Sequence, residues 1–98
     1  MRRDDVIEAL KQHESAIRGY GAQSLYLYGS LARDEAGPES DVDVFIDRDP
    51  AKNFGFLQLT GLVIMLEDLF KSEVDVGTRT GLHPLLRSAI EASAIKVF

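Results

Sequence analysis

No cysteine occurs in the 98-residue chain, which rules out disulfides and thiolate chemistry together. An excess of positive charge is also missing. Lys and Arg number 11 against 16 Asp and Glu, and the formal net charge of -5 opposes adhesion to a nucleic-acid backbone or an anionic membrane. Long apolar runs are absent too: the most apolar window, 54–66, is too short to span a bilayer and contains Gln58 and Thr60. The opening MRRDDVIEAL carries acids where a secretory leader needs an unbroken apolar core. No repeat, linker or low-complexity tract interrupts the sequence. These absences lead to the expectation of one cytoplasmic domain over residues 1–98, with no direct nucleic-acid partner and no membrane association.

What remains is ordinary globular material, 45% hydrophobic and 28% charged, in a chain whose stability at this length is modest. Val6, Ile7, Leu10 and Ile17 share one helical face and predict an amphipathic helix over 5–18, with Asp5 and Glu8 spaced as a capping box and Gly19 and Gly21 as stops. SLYLY, 24–28, is apolar or aromatic on both faces and reads as a strand covered on both sides, ended by Gly29; a short helix over Leu31 to Ala36 can follow. Gly37, Pro38, Glu39 and Ser40 form a turn cluster. After it Val42, Val44 and Ile46 alternate with Asp41, Asp43, Phe45 and Asp47, a second strand with one apolar and one acidic face. A loop over 47–53, a core helix over 54–70 and a third strand over 73–78 come next. Pro84 suits the first turn of a last helix, whose apolar stripe is Leu85, Leu86, Ala89, Ile90 and Ala94. The pattern predicts an α/β (α+β) domain with a small mixed three-stranded sheet flanked by helices.

The chemistry concentrates on the second strand. Asp41 and Asp43 project from one face roughly 6.6 Å apart at Cα, close enough for their carboxylates to converge. Two anions on the side of a sheet that should pack repel and lose hydration unless a cation compensates. Mg²⁺ suits such a pair because it takes hard oxygen ligands and keeps several waters, leaving positions for substrate phosphate oxygens; Mn²⁺ is tolerated on the same grounds. Asp75 in EVDVGT faces away from Val74 and Val76, so pairing of the second and third strands would bring it beside the other two acids. Three carboxylates can then serve two metal ions and a base, a role assigned to Asp75. Gly29 allows close backbone approach to a phosphate, Ser30 adds a hydroxyl donor, and Arg33 adds a positive charge one turn on.

The stretch GSLARDEAGPESDVDVF, 29–45, resembles the Gly-Ser, ten residues, Asp-x-Asp signature of the polymerase-beta-like nucleotidyltransferase superfamily, and within it the minimal nucleotidyltransferases. LYLYGSLAR, EVDVGT and LHPLLRSAIEASAIKVF also fall where such a protein would have them, so the resemblance covers nearly the whole chain. It implies the polymerase-beta-like fold, two catalytic Mg²⁺ ions and a nucleoside triphosphate donor. It further implies Gly29 and Ser30 as phosphate contacts, and Asp41, Asp43 and Asp75 as the catalytic and metal-binding triad. Minimal members of the antitoxin type pair with a HEPN-domain toxin and can transfer AMP from ATP to one of its tyrosines. Leu31 stands where a polar or basic residue is frequent in the family, and Asp34 where glycine is frequent.

Three functions fit these readings. The first is a Mg²⁺-dependent transferase that moves AMP onto a hydroxyl of a HEPN ribonuclease toxin. Its short chain leaves the acceptor-gripping surface to the partner, as a hetero-oligomer. The second is a non-catalytic antitoxin that neutralises the toxin by occlusion. The third is a small-molecule transferase, working as a homo-oligomer and similar to aminoglycoside nucleotidyltransferases. Plainer roles compete at several positions: Arg33 can bridge to Asp34, Glu35 or Glu39; Tyr26 and Tyr28 can pack the sheet, with Tyr28 also bordering a nucleotide; Asp47 and Asp49 can solvate the strand exit. His13 and His83 lack partners at metal-binding spacing and receive no role.

Overall fold

A computed structural model describes residues 1–35, 37 and 41–98. The predicted helix over 5–18 is two helices, α1 (Arg3–Gln12) and α2 (Glu14–Gly19), separated at His13. The His13 imidazole explains the break: its Nδ1 donates to the Ala9 carbonyl over 2.8 Å, competing with the helical ladder. The capping box expected at Asp5 and Glu8 is not made, because α1 starts earlier with Arg2 at its N-cap. Asp4 and Asp5 instead lie in the first turn, where they complement the helix dipole.

Strand β1 (Ala22–Tyr28) leads directly into α3 (Gly29–Ala32), a single turn that begins before the expected Leu31. Ala36 at the far end of that expected helix, and Pro38, Glu39 and Ser40 of the expected turn, lie outside the described residues. The chain then forms β2 (Val42–Arg48), α4 (Phe56–Phe70), β3 (Val74–Thr78), a 3-10 turn at Arg79–Gly81, α5 (Arg87–Ser93) and β4 (Ile95–Lys96). The sheet thus has four strands where the sequence pattern predicts three, in the order β3-β2-β1-β4. The added strand follows the predicted last helix, whose apolar stripe ends at Ala94. Tyr26 and Leu27 pair antiparallel with Lys96 and Ile95, and the Val97 N–H donates to the Leu25 carbonyl at 2.8 Å. The pairing satisfies backbone groups on the open edge of β1. β1 and β2 are antiparallel, whereas β2 and β3 run parallel, joined by α4 as the crossover.

One face of the sheet carries the core. Leu25, Leu27, Val42, Val44, Ile46, Val74 and Val76 are buried there with Val6, Leu10, Ile17, Leu62 and Leu66 from the helices. α4 is less wrapped than its composition suggests: Leu62 and Leu66 are fully buried, but Phe56 and Leu57 are each 79% exposed and Ile64 is 61% exposed. Gly61 is explained by packing, since a Cβ there would lie 2.6 Å from the Tyr20 ring, which covers the helix at that point. Leu66→Ala should cost about 2–5 kcal/mol in urea unfolding, while Phe56→Ser should stay within about 0.5 kcal/mol, because only the first leaves a cavity. No helix among the described residues is long and apolar enough to cross a membrane.

Candidate active site

The opposite face of the sheet carries the acids singled out by the sequence, and strand register sets their neighbours. Tyr28 is paired with Asp43 across β1 and β2, and Asp43 with Asp75 across β2 and β3. Register partners point to the same side, so the second and third predicted carboxylates face each other as neighbours, with Asp41 two residues earlier on that side. Strand pairing thus sets Asp75 beside Asp43, while Asp41 precedes the first paired residue of β2, Val42. Asp41 and Asp75 are exposed, Asp43 half-buried.

The electrostatics follow from this crowding. Burial pushes the Asp43 carboxyl above the usual carboxylate range, the charges of Asp75 and Asp41 push it further, and Arg33 opposes them. The Tyr28 phenol is pushed up to about 12 by burial, then by Asp75 and Asp43, so it stays protonated. Both shifts report a concentration of negative charge at one end of β2.

Gly29 and Ser30 open α3 at the same end. Gly29 has φ +76, in the left-handed region, and a Cβ there would collide with Asp43 Oδ2. The glycine therefore allows the backbone turn and the carboxylate to share one place. First-turn N–H groups of a helix have no intrahelical acceptor, which is the property a phosphate uses. Arg33 makes the surface bridge, its Nε donating to Glu35 Oε2 at 3.1 Å, and it also lines a cleft near Asp43. Leu31 is buried in the core, and Asp34 adopts φ +59, a conformation that suits glycine.

A cleft of ≈ 420 Å³ adjoins these groups, with Tyr28, Gly29 and Arg33 on one side and Leu86, Ala89, Ile90 and Ser93 on the other. The apolar stripe of the last helix does not enter the core. No residue of α5 is buried, Leu85 is 87% exposed, and Leu86, Ala89 and Ile90 border the cleft. Helical periodicity marks an apolar face but cannot say whether it meets a core or a ligand space.

The acidic face of β2 is corrected as well. Phe45, between Asp43 and Asp47, is fully buried; its ring stacks on Tyr26 with centroids 4.8 Å apart, and the Arg79 guanidinium lies 5.0 Å above it. Nor does Asp47 merely solvate the strand exit. Arg79 Nε donates to Asp47 Oδ1 at 2.7 Å and Nη2 to Oδ2 at 3.1 Å, a bidentate pair, and Ser24 Oγ donates to Oδ2 at 2.8 Å. The parallel register pairs Ile46 with Thr78 and so carries Arg79 beside Asp47. Asp49 does serve a turn, accepting the Ala51 N–H at 2.9 Å.

Hydrogen bonds from Arg79 hold the Asp47 carboxyl below the usual range. A depressed folded-state pKa contributes stability above the unfolded value near 3.9, lost as pH falls through the folded value. Asp47→Asn should therefore cost about 1–2 kcal/mol at pH 7, a difference that shrinks below about pH 4 when urea midpoints are compared.

A four-stranded mixed sheet with paired strand-borne acids beside a Gly-Ser turn defines a nucleotidyltransferase type of site. The sequence pattern of the nucleotidyltransferase domain matches residues 4–97, and the chain belongs to that family and is a nucleotidyltransferase. It is 30% identical over 95 residues to a Methanocaldococcus jannaschii chain named "Putative protein adenylyltransferase", covering 95% of each. Among solved structures it is similar to one described as a "putative minimal nucleotidyltransferase", with TM-score 0.82 and 28% identity over 97% of this chain and 95% of that one. The fold is shared with a chain of the complex described as "tri-AMPylated Shewanella oneidensis HEPN toxin in complex with MNT antitoxin", at TM-score 0.66 and 16% identity, over 94% and 71% of the two chains.

Proposed function

We propose that this nucleotidyltransferase transfers AMP from ATP to a hydroxyl of a partner protein, a tyrosine of a HEPN-domain ribonuclease toxin, and thereby acts as its antitoxin in the cytoplasm. The observation that carries the reading is the register pairing of Asp43 with Asp75 at the mouth of the Gly29-Ser30 turn.

The donor set fits divalent cations. Asp43 is held above its ordinary proton affinity by burial and by two neighbouring carboxylates, a situation that a bound cation relieves. Among the described residues no group of three or more His, Cys, Asp or Glu side chains is placed to hold a metal ion. Mg²⁺ does not require such a preformed group, since it keeps several waters, and exposed Asp41 and Asp75 are free to turn towards Asp43. Asp41, Asp43 and Asp75 would hold two Mg²⁺ ions, or Mn²⁺, and when bound these supply charge neutralisation at the phosphates. Gly29 lets the backbone approach the triphosphate, the Ser30 hydroxyl donates to a phosphate oxygen, and Arg33 adds positive charge. Asp75 takes the acceptor hydroxyl's proton as its oxygen bonds to the α-phosphorus and pyrophosphate departs.

A protein acceptor is supported by the rim of the cleft. Leu86, 54% exposed, and Ile90 line the cleft, and Leu85, 87% exposed, precedes them in the chain, apolar surface that a docking protein would require and a small polar drug would not. The test is to incubate the chain with the product of the adjacent gene, ATP and Mg²⁺, and to weigh both intact. An AMP adduct on the partner is expected; a stable complex without an adduct from any of the four ribonucleotides overturns the catalytic reading. Neutralisation that survives Asp43→Asn would indicate occlusion instead.

A further inference from the structure

α5 forms one wall of the cleft, yet none of its residues is buried. Its attachment to the sheet is polar. Arg79 Nη1 donates to Glu91 Oε2 at 2.6 Å, while the rest of the same guanidinium grips both oxygens of Asp47 on β2. The guanidinium also lies 4.7 Å above the Tyr26 ring and 5.0 Å above Phe45, so its plane is fixed from beneath as well as from both sides. The Arg79 and Asp47 side chains are only 25% and 31% exposed, which sets this pair apart from the solvent-screened ion pairs elsewhere on the surface. Three of the five guanidinium N–H donors of Arg79 are engaged by these two carboxylates.

We infer that Arg79, acting through Glu91, is a positioning residue that sets the distance between α5 and the sheet, and with it the width of the cleft bounded by Tyr28, Arg33, Leu86, Ala89 and Ile90. This rests on the reading of that cleft as the nucleotide-transfer site. The route is continuous: Asp47 anchors Arg79 to a central strand, Arg79 anchors Glu91, and Ala89 and Ile90, on the same short helix, face the cleft. Small displacements of such a wall change how a bound nucleotide or acceptor is held more than they change the chemistry at the acids. Arg87 offers an internal control. It pairs with the other Glu91 oxygen at 3.4 Å within α5 itself, so it does not tie the helix to the sheet.

The test compares wild type, Glu91→Gln, Glu91→Asp and Arg87→Met by amide hydrogen exchange and by steady-state transfer from ATP with Mg²⁺. Glu91→Gln should speed exchange of residues 87–93 by about tenfold without altering β1 and β2, and raise the KM for ATP about five- to tenfold with kcat within twofold. Glu91→Asp should recover part of both effects, and Arg87→Met should change neither. Unchanged exchange over 87–93 in Glu91→Gln, or faster exchange with an unchanged KM in an active enzyme, overturns the inference. If wild type transfers no nucleotide to any acceptor, the catalytic reading fails, and the exchange measurement still decides whether the Arg79 link holds α5.

Discussion

Asp43→Asn should lower nucleotide transfer by about 10³-fold while making the metal-free protein harder to melt. The two effects have one origin. Asp43 sits half-buried between Asp75 and Asp41, and its carboxyl is raised above the ordinary value by burial first and by those charges second. A group whose folded-state pKa is raised contributes stability that is fully present below the unfolded pKa and is lost as pH rises through the folded value. At neutral pH the ionised Asp43 is therefore a cost to the fold in the absence of a cation. Asparagine keeps the shape and removes the charge, so the metal-free Tm should rise, at ~4–8 °C for each kcal/mol relieved in a domain of this size. The same loss of charge removes the central member of the acidic set, and electrostatic groups at the reacting centre are worth ~10²–10⁴-fold in rate. Calorimetric scans with and without Mg²⁺ give the decisive comparison: Mg²⁺ should raise the Tm of wild type, and its effect on the variant should be much smaller. An Asp43→Asn protein that melts earlier than wild type in chelator, or that keeps its transfer rate, would contradict this account of the site.

The second large effect is expected at Gly29. Alanine there meets two separate obstacles, the positive φ of +76 and the Asp43 carboxylate occupying the space of the new methyl. The backbone conformation alone costs ~1–2 kcal/mol for a residue with a Cβ. The collision is relieved only by turning the Asp43 carboxylate out of its present place or by shifting the turn that presents Ser30. Transfer should fall by at least ~10²-fold, together with the stability loss, and restoring stability with osmolyte should not restore the rate. Gly19→Ala provides the comparison, since nothing lies within 4 Å of its added Cβ. It ends α2 and should be neutral or slightly stabilising in urea titration.

These two residues also show how unevenly the molecule is written into its sequence. The alternation of Val42, Val44 and Ile46 with Asp41 and Asp43 is a local property, because a strand repeats every two residues whatever it pairs with. The spacing of Gly29-Ser30 from the Asp-x-Asp is likewise local, and it was enough to indicate the site. The collision between Gly29 and Asp43 was not legible, because it depends on β1 and β2 pairing antiparallel in one register. The surroundings of the last helix are not legible for a similar reason. Leu86, Ala89 and Ile90 have helical periodicity, but hydrophobicity does not distinguish burial in a core from exposure along a cleft, and the β4 pairing that follows the helix is a long-range event.

Arg79, Asp47 and Glu91 carry the lesson furthest. They lie 32 and 12 residues apart from one another along the chain, and no spacing rule links them. By itself the sequence determined the alternation of elements, the acidic and Gly-Ser motifs, and the family they resemble, since each is expressed in the period and spacing of neighbouring residues. Only the tertiary structure decided the fourth strand, the burial of Phe45 on the acidic face, and the ion-pair link that holds α5 beside the acids. Those depend on which strands pair and in what register, and pairing is settled by the burial of the whole sheet rather than by any one segment.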